Sequence, residues 1–231
     1  MPPIEAVIFD LDFCLFNEQV YIDAALHDIA HFLASKCDLP EEAIFNKLSR
    51  DFIDKGHMYP RLFNDAVADL GLEEALIKPI LDLYGAVEVA LSPYAGAEQL
   101  LLKLKNKGMK LALVTNGMIR PQRKKVQLLG IEKFFDIVVY AREWAANEKP
   151  NPEVYRLVLK KLGVYPERAL AVGDNPHTDF WGAKKLGMLT LRLLTGPFKT
   201  LRLTPEYEAE NRANSLKQVA EFIEKNNLQF V

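Results

Sequence analysis

Glu5-Ala-Val-Ile-Phe9-Asp10-Leu11-Asp12 is the stretch of the sequence that decides the fold. Its apolar half is short and contains β-branched residues, which predicts a strand buried on both faces in a parallel sheet. Two aspartates follow at the point where this strand ends. Because ligands of open α/β sheets bind beyond the carboxyl ends of the strands, we expect Asp10 and Asp12 to lie at the functional site.

The same strand pattern recurs later in the chain. Four further segments are short and apolar: residues 110–114, 136–140, 169–172 and 189–193. Four segments with helical periodicity each end at a glycine, a common helix terminator: residues 96–108, 121–130, 152–163 and 180–187. The last helix is predicted to begin at a capping box formed by Ser215 and Gln218. The alternation of strands and helices predicts an α/β fold with a doubly wound, Rossmann-like parallel sheet.

Residues 17–92 interrupt this alternation because they contain no convincing strand. Apolar residues recur with helical spacing from Ile22 to Leu33, which predicts a first amphipathic helix. Further helices are predicted over residues 41–54, 59–70 and 73–90. We therefore expect two domains, an α/β core of residues 1–16 and 93–231 and an inserted helical cap of residues 17–92.

Composition excludes several classes of partner. The net charge is −2, from 29 basic and 31 acidic side chains, so no basic patch for nucleic acid or an anionic membrane is indicated. No apolar run reaches the ~20 residues of a membrane-spanning helix. The first basic residue is Lys36, unlike the basic start of a secretory signal, and the two cysteines fit a reducing compartment. We expect a soluble, cytoplasmic protein without a nucleic-acid or membrane partner.

Polar residues also follow the later strands of the predicted sheet. They are Thr115, Asn116, Gly117, Lys149, Asp174 and Asp179. Each alone has an ordinary explanation, because an aspartate after a strand is usually a turn or helix cap. Several carboxylates at one edge of a sheet are unfavourable, however, unless a cation offsets their charge. Oxygen-only ligands of this kind favour Mg²⁺.

Four motifs in this order resemble those of the haloacid dehalogenase-like hydrolases, in particular members with a helical cap between the first and second motifs. They are Asp10-Leu-Asp12-Phe-Cys-Leu15, Val114-Thr115-Asn116-Gly117, Lys149-Pro150, and Gly173-Asp174 followed by Asp179. The resemblance spans nearly the whole chain. It implies a Mg²⁺-dependent phosphatase that hydrolyses a small phosphorylated metabolite, a phosphomonoester, through an aspartyl-phosphate.

The resemblance also implies catalytic roles. Asp10 would be the nucleophile that forms the aspartyl-phosphate. Asp12 would protonate the leaving oxygen and then activate water. Lys149 would keep Asp10 ionised and offset the charge that develops on the phosphoryl group. An acid at Asp12 indicates an alkoxide leaving group, since a departing halide needs no proton, and this favours a phosphatase over a dehalogenase.

The remaining motif residues would bind the phosphoryl group and the metal ion. By the same resemblance, the Thr115 hydroxyl and the backbone of Asn116 and Gly117 would hold phosphoryl oxygens, with Thr115 belonging to the catalytic set. Mg²⁺ would be bound by the carboxylates of Asp10 and Asp174 and by the main-chain oxygen of Asp12. Asp179 would support either Lys149 or a water ligand of the metal.

Two features depart from the family or lie outside its motifs. Phe13-Cys14 replaces the usual Gly-Thr, so we expect the loop after Asp12 to be less firmly held. For Cys14, a packed thiol is favoured over a catalytic one because no histidine partner is evident. In the predicted cap, His57, Tyr59 and Arg61 form either a simple loop or a substrate-binding loop.

Two alternative functions stay open at this point. A phosphomutase or phosphotransferase acting on a sugar phosphate would use the same catalytic residues and pass the phosphoryl group to a hydroxyl. A non-catalytic regulatory or binding member of the fold is disfavoured because Asp10, Asp12, Lys149 and Asp174 are all present.

Overall fold

The computed structural model describes residues 2–56, 58–144 and 148–228, with the backbone alone for Trp144. The chain forms two compact units, Met1–Asn17 with Ser92–Val231 and Glu18–Leu91. The first unit contains the sheet, and the second is helical. That residues 17–92 act as a cap for the active site stays a prediction.

Six strands in the described part of the first unit form one parallel sheet. They are β1 (Ala6–Phe9), β2 (Lys110–Thr115), β3 (Ile137–Tyr140), β4 (Ala169–Gly173), β5 (Leu189–Leu193) and β6 (Asn211–Ala213). Their order across the sheet is β3-β2-β1-β4-β5-β6, and all neighbouring pairs are parallel. The predicted α/β fold with a Rossmann-like parallel sheet is confirmed.

The helical unit contains a buried apolar face, as its periodicity predicted. Its α-helices within the described residues are α1 (Gln19–Ala34), α2 (Glu41–Lys55), α3 (Leu62–Asp69) and α4 (Ile77–Tyr84). The stripe from Ile22 to Leu33 belongs to one core with residues of the other three helices. The helix predicted over residues 73–90 is shorter in the structure, since a 3₁₀ turn at Glu74–Leu76 precedes α4 and Gly85 caps its end.

The sheet unit carries five α-helices in its described residues. They are α5 (Ala97–Asn106), α6 (Ile119–Leu129), α7 (Pro152–Leu162), α8 (Trp181–Lys185) and α9 (Leu216–Leu228). Val154 and Val158 of α7 pack in one apolar core with Ile8 of β1, and burial of each such aliphatic side chain contributes roughly 1.5–3 kcal/mol. No helix in the described ranges is long and apolar enough to cross a membrane.

Strands β1 and β4 lie side by side at the point where the strand order changes direction. Phe9 pairs with Val172, and the backbone N–H of Asp10 donates to the Val172 carbonyl at 2.9 Å. The chain fills one side of the sheet through β2 and β3 and then continues on the other side of β1 with β4. The residues that follow β1 and β4 therefore meet at the topological switch point, where open α/β sheets bind their ligands.

Candidate active site

Lys149 joins two carboxylates at the carboxyl end of the sheet. Its ammonium contacts Asp10 Oδ1 and lies 2.7 Å from Asp179 Oδ1. Lys149 and Asp179 are buried, whereas a small part of the Asp10 side chain is exposed. Burial disfavours the charged ammonium, but the two carboxylates outweigh this effect and raise the pKa of Lys149 well above its ordinary value. Lys149 is therefore positively charged at any physiological pH.

Asp10 has a pKa far from that of a solvated carboxyl group. Burial raises the pKa of Asp10 to about 7; Lys149 opposes the rise, and Asp179 and Asp12 add to it. The single ammonium thus offsets only part of the cost of burying the carboxylate. A further positive charge is needed to keep Asp10 fully ionised at neutral pH.

Three carboxylates converge beside Lys149. One oxygen each of Asp10, Asp174 and Asp179 lie within 4.8 Å of one another. Asp10 follows β1 and Asp174 follows β4, so the convergence is a direct result of the pairing between these strands. This set of hard oxygen donors fits a hard divalent cation rather than a softer metal. The structure thus places Asp10 and Asp174, whose carboxylates were predicted as metal ligands, close to each other and to Asp179; their binding of a metal stays a prediction.

Gly173 makes room for Asp179. A Cβ atom at Gly173 would lie 2.1 Å from Asp179 Oδ2. The same oxygen accepts a hydrogen bond from the backbone N–H of Asn175 at 3.0 Å, and the Tyr155 hydroxyl donates to the main-chain oxygen of Asp179 at 2.6 Å. Asp179 is therefore folded back over the end of β4 and held there, which places its carboxylate against Lys149.

A buried arginine holds the main chain at Asp174. Arg192 lies in β5, is fully buried, and donates from Nε to the Asp174 carbonyl at 3.0 Å. Its charge is paired with Glu208 at 3.0 Å. The apolar pattern of residues 189–193 predicted a strand but not this contact, although an arginine within a buried run is itself a signal of a specific partner.

Asn116 and Gly117 lie next to the Lys149 segment. The Asn116 side chain donates to the Lys149 carbonyl at 2.7 Å and accepts from the Lys149 N–H at 2.9 Å. The Gly117 N–H donates to Glu148 Oε1 at 3.3 Å. The Asn116 side-chain amide therefore fixes the backbone of Lys149. Because that amide is already engaged, the predicted contacts of residues 116 and 117 with a phosphoryl group would be made by their backbone N–H groups.

Two buried side chains of α6, neither of them predicted as a site residue, contact Asp12. Gln122 Nε2 donates to Asp12 Oδ2 at 2.6 Å, and Lys125 Nζ lies 2.9 Å from Asp12 Oδ1. Gln122 also donates to the Thr115 hydroxyl at 2.5 Å. Their signal was present in the sequence, because they share the buried stripe of an amphipathic helix with Val126 and Leu129.

Comparison with known proteins identifies the family. Residues 7–193 match the family described as haloacid dehalogenase-like hydrolase. The chain belongs to the haloacid dehalogenase-like hydrolases. The family suggested by the four sequence motifs is thereby confirmed.

Similar proteins of this family are named as phosphatases. The chain is 33% identical over 224 residues to the glyceraldehyde 3-phosphate phosphatase of Methanocaldococcus jannaschii, which covers 95% of this chain and 97% of that protein. It is 31% identical over 229 residues to the glyceraldehyde 3-phosphate phosphatase of Methanopyrus kandleri, and the alignment covers 94% of this chain and 98% of that protein. The crystal structure of a HAD phosphatase from Thermococcus onnurineus shares the fold, with a TM-score of 0.68 and 24% identity. The superposition covers 95% of this chain and 98% of that structure. The prediction of an enzyme, a haloacid dehalogenase-like phosphatase, is confirmed.

The departure from the family pattern at Phe13-Cys14 is accommodated by the segment after β5. Phe13 has a positive φ of 53°, and its carbonyl accepts a hydrogen bond from the Thr195 hydroxyl. A Cβ atom at Gly196 would lie 2.6 Å from Phe13 Cβ, so the glycine allows the ring to pack closely. Cys14 Sγ donates to the Val172 carbonyl at 3.7 Å, and burial raises the pKa of the thiol well above its usual value. The thiol stays protonated, which argues against a cysteine nucleophile.

The predicted substrate-binding loop lies in the helical unit of this hydrolase. His57 is outside the described residues. Tyr59 donates from its hydroxyl to Asp65 Oδ2 at 2.6 Å, and Arg61 Nε lies 3.6 Å from Asp65 Oδ1. Lys55 Nζ lies 3.0 Å from the same carboxylate. Asp65 thus organises Tyr59 and Arg61 within the helical unit, and their contact with a substrate stays a prediction.

Proposed function

We propose that this enzyme is a Mg²⁺-dependent phosphatase that hydrolyses a small phosphomonoester through an aspartyl-phosphate on Asp10. The observation that carries the proposal is the placement of Lys149 between Asp10 and Asp179, with Asp174 beside them. A carboxylate nucleophile needs a nearby positive charge and a site for the anionic phosphoryl group. Lys149 supplies the first of these directly.

The metal is proposed to bind at the three-carboxylate cluster. Asp10 and Asp174 would supply carboxylate oxygens, Asp12 would supply its main-chain oxygen, and Asp179 would support Lys149 or a metal-bound water. A bound divalent cation would supply the positive charge that Asp10 needs to stay ionised. The same charge would offset the repulsion between the anionic phosphoryl group and the carboxylates of the site.

In the first step Asp10 attacks phosphorus. A carboxylate oxygen of Asp10 forms a bond to phosphorus, while the bond from phosphorus to the alcohol oxygen breaks. Asp12 gives a proton to the departing alcohol oxygen as the general acid. Lys149, the Thr115 hydroxyl and the N–H groups of residues 116 and 117 bind the phosphoryl oxygens. For this the Gly117 N–H exchanges its acceptor, Glu148 Oε1, for a phosphoryl oxygen.

In the second step water releases the phosphoryl group. Asp12, now ionised, accepts a proton from water as the water oxygen bonds to phosphorus. The bond between Asp10 and phosphorus breaks, and inorganic phosphate leaves with Asp10 restored as a carboxylate. The two proton transfers through Asp12 balance over one turnover, so the enzyme ends in its starting state.

Hydrolysis is favoured over the two alternative functions. The similar proteins described above are named as phosphatases, which supports water over a sugar hydroxyl as the acceptor. A purely regulatory role is disfavoured because the described structure brings Asp10, Lys149, Asp174 and Asp179 together. Since both named relatives are glyceraldehyde 3-phosphate phosphatases, that aldehyde phosphate is the first substrate to test. We propose that residues 17–92 form the cap that selects it.

The proposal is tested by measuring phosphate release from glyceraldehyde 3-phosphate and from p-nitrophenyl phosphate. We expect turnover of both with Mg²⁺ and none after chelation, with recovery when Mg²⁺ is added back. Product analysis in the presence of a sugar should detect inorganic phosphate and no new phosphorylated sugar. Turnover that persists without a metal ion, or transfer to the sugar, would contradict the proposal.

We also propose a cytoplasmic location. Both cysteines, Cys14 and Cys37, are free thiols, which fits a reducing compartment. Cell fractionation should recover the enzyme with cytoplasmic markers, and recovery from the secreted fraction would contradict this location.

A further inference from the structure

Each carboxylate oxygen of Asp12 contacts a different buried side chain of α6. Lys125 lies at Oδ1 and Gln122 at Oδ2, and both are almost wholly removed from solvent. The two residues are three positions apart, so their side chains lie on the same face of the helix. Helix α6 follows directly after the Thr115 segment at the end of β2, which brings this face to the site.

A lysine and a glutamine in these positions are costly for folding. A buried charge or amide lowers stability unless it is paired, and apolar residues would fill a helix stripe without that cost. For both Gln122 and Lys125, contact with the Asp12 carboxylate offsets this loss of stability. Asp12 is the proposed general acid and base. This concentration of buried polar contacts on Asp12 indicates a role at the reaction centre.

Gln122 also connects Asp12 with the phosphoryl-binding hydroxyl. Its amide nitrogen donates both to Asp12 and to Thr115 Oγ1. An amide nitrogen has two hydrogens, so it can make both hydrogen bonds at once. One side chain thereby fixes the distance between the group that transfers protons and the group that holds the phosphoryl oxygens.

We propose that Gln122 and Lys125 are positioning residues that hold the Asp12 carboxylate in the orientation required for proton transfer. The inference rests on the proposed function, because it gives Asp12 its task. A general acid acts only within hydrogen-bond distance of the oxygen that it protonates. A displacement of about 1 Å can lower a rate about 10²-fold.

The two steps of the reaction depend on Asp12 to different degrees. p-Nitrophenolate leaves as a stable anion, so the first step with p-nitrophenyl phosphate needs little help from a proton donor. An alkoxide leaving group needs the proton. The second step needs Asp12 with either substrate, because water must lose a proton as it attacks phosphorus.

These differences define the test with Gln122→Met and Lys125→Met. With p-nitrophenyl phosphate we expect kcat to fall about 10²-fold while kcat/KM stays within about threefold of the wild-type value. A burst of one p-nitrophenolate per active site should appear, because the aspartyl-phosphate then accumulates. With glyceraldehyde 3-phosphate, kcat/KM should fall about 10²-fold as well.

Matched variants separate positioning from folding. Lys124→Met and Gln127→Met make the same chemical changes on α6 and should keep wild-type kinetics. Lys125→Arg keeps a charged donor and should restore kcat to within about tenfold. Thermal unfolding of every variant shows whether the fold is intact.

The inference is overturned by wild-type kinetics in both Met variants. It is also overturned if kcat and kcat/KM fall equally with both substrates, since that pattern reports a smaller fraction of folded enzyme. A wild-type enzyme that hydrolyses neither ester would contradict the proposed function itself. Because that result concerns the unmutated enzyme, the two failures are distinguishable.

Discussion

Lys149 Nζ lies 2.7 Å from Asp179 Oδ1, and each of these side chains is 3% exposed. The pair is joined by Asp10, whose carboxylate contacts the same ammonium. Two of the proposed site carboxylates thus share one cation. Removal of that cation leaves buried negative charges without compensation, so Lys149 supports both the fold and the chemistry of the site.

Lys149→Met should therefore reduce both activity and stability. We expect kcat to fall about 10³-fold, because a donor to the transferring phosphoryl group is lost. The free energy of unfolding should fall by about 3–5 kcal/mol, because a buried ion pair is broken on one side only. Urea denaturation and phosphate release measure the two effects. Lys160→Met on the exposed side of α7 serves as the control and should change neither quantity.

Gly173→Ala should disturb the site without changing any charge. The new Cβ atom would lie 2.1 Å from Asp179 Oδ2, so the carboxylate must move away from its place beside Lys149. Overpacking of this kind costs about 1–3 kcal/mol. We expect a lower melting temperature and at least about a tenfold loss of kcat, as follows from a misplaced catalytic group. A variant with wild-type melting temperature and kcat would show that Asp179 does not need this position.

The metal-free enzyme should lose stability as the pH rises. The pKa of Asp10 is about 7 in the folded protein, against 3.8 for a solvated aspartate, because burial favours the protonated form. The stabilisation that this proton provides is complete below the unfolded pKa and is lost as the pH rises through the folded pKa. The loss is about 1.4 kcal/mol for each pH unit between the two pKa values. Between pH 5 and pH 8, in buffer with a chelator, Asp10→Asn should become more stable relative to the wild type.

Added Mg²⁺ provides the control for this pH dependence. It binds the ionised carboxylate, so it should stabilise the wild type more than Asp10→Asn at pH 8. A difference between the two proteins that stays constant from pH 5 to pH 8 without metal would contradict the raised pKa.

The loop before α3 should affect specificity more than chemistry. His57→Ala, Tyr59→Phe or Arg61→Ala should lower kcat/KM for the true substrate about ten- to a hundredfold, as expected for a lost substrate hydrogen bond. Activity on p-nitrophenyl phosphate should change much less. Asp65→Asn is the informative control, because it weakens the internal partner of Tyr59 and Arg61 without removing either side chain. Equal losses on both substrates would indicate a folding defect of the loop.

The sequence predicted the elements whose identity depends on local pattern. The five apolar strands and the aspartates after β1 and β4 follow from runs of buried residues and their ends. Strand β6 was missed because Asn211-Arg-Ala213 has no apolar run, and its pairing with Leu193 is a long-range contact. The helix predicted to continue beyond Tyr84 ends there, since Gly85 favours termination over the weak periodicity that follows.

The contacts between site residues that are remote in the chain could not be predicted from the sequence. Gln122 and Lys125 reach Asp12 only because the folded sheet brings α6 beside the segment that follows β1. The hydrogen bond from Thr195 to the Phe13 carbonyl likewise joins segments that are remote in the chain. The motifs at residues 114–117 and 149–150 could be recognised from their order and spacing in the sequence. Their hydrogen-bond and ion-pair partners could be identified only from the structure.

Trapping the phosphorylated enzyme tests directly whether Asp10 forms the covalent intermediate. Asp12→Asn slows the attack of water, so incubation with p-nitrophenyl phosphate and Mg²⁺ should leave a phosphoryl group on Asp10. Borohydride reduces an aspartyl-phosphate to homoserine, and peptide mass spectrometry then locates the modified residue. A covalent intermediate on Asp10 predicts homoserine at position 10 and none in Asp10→Asn, which should also show no turnover. Phosphate release at the wild-type rate by Asp10→Asn, with no modified residue at position 10, would contradict it.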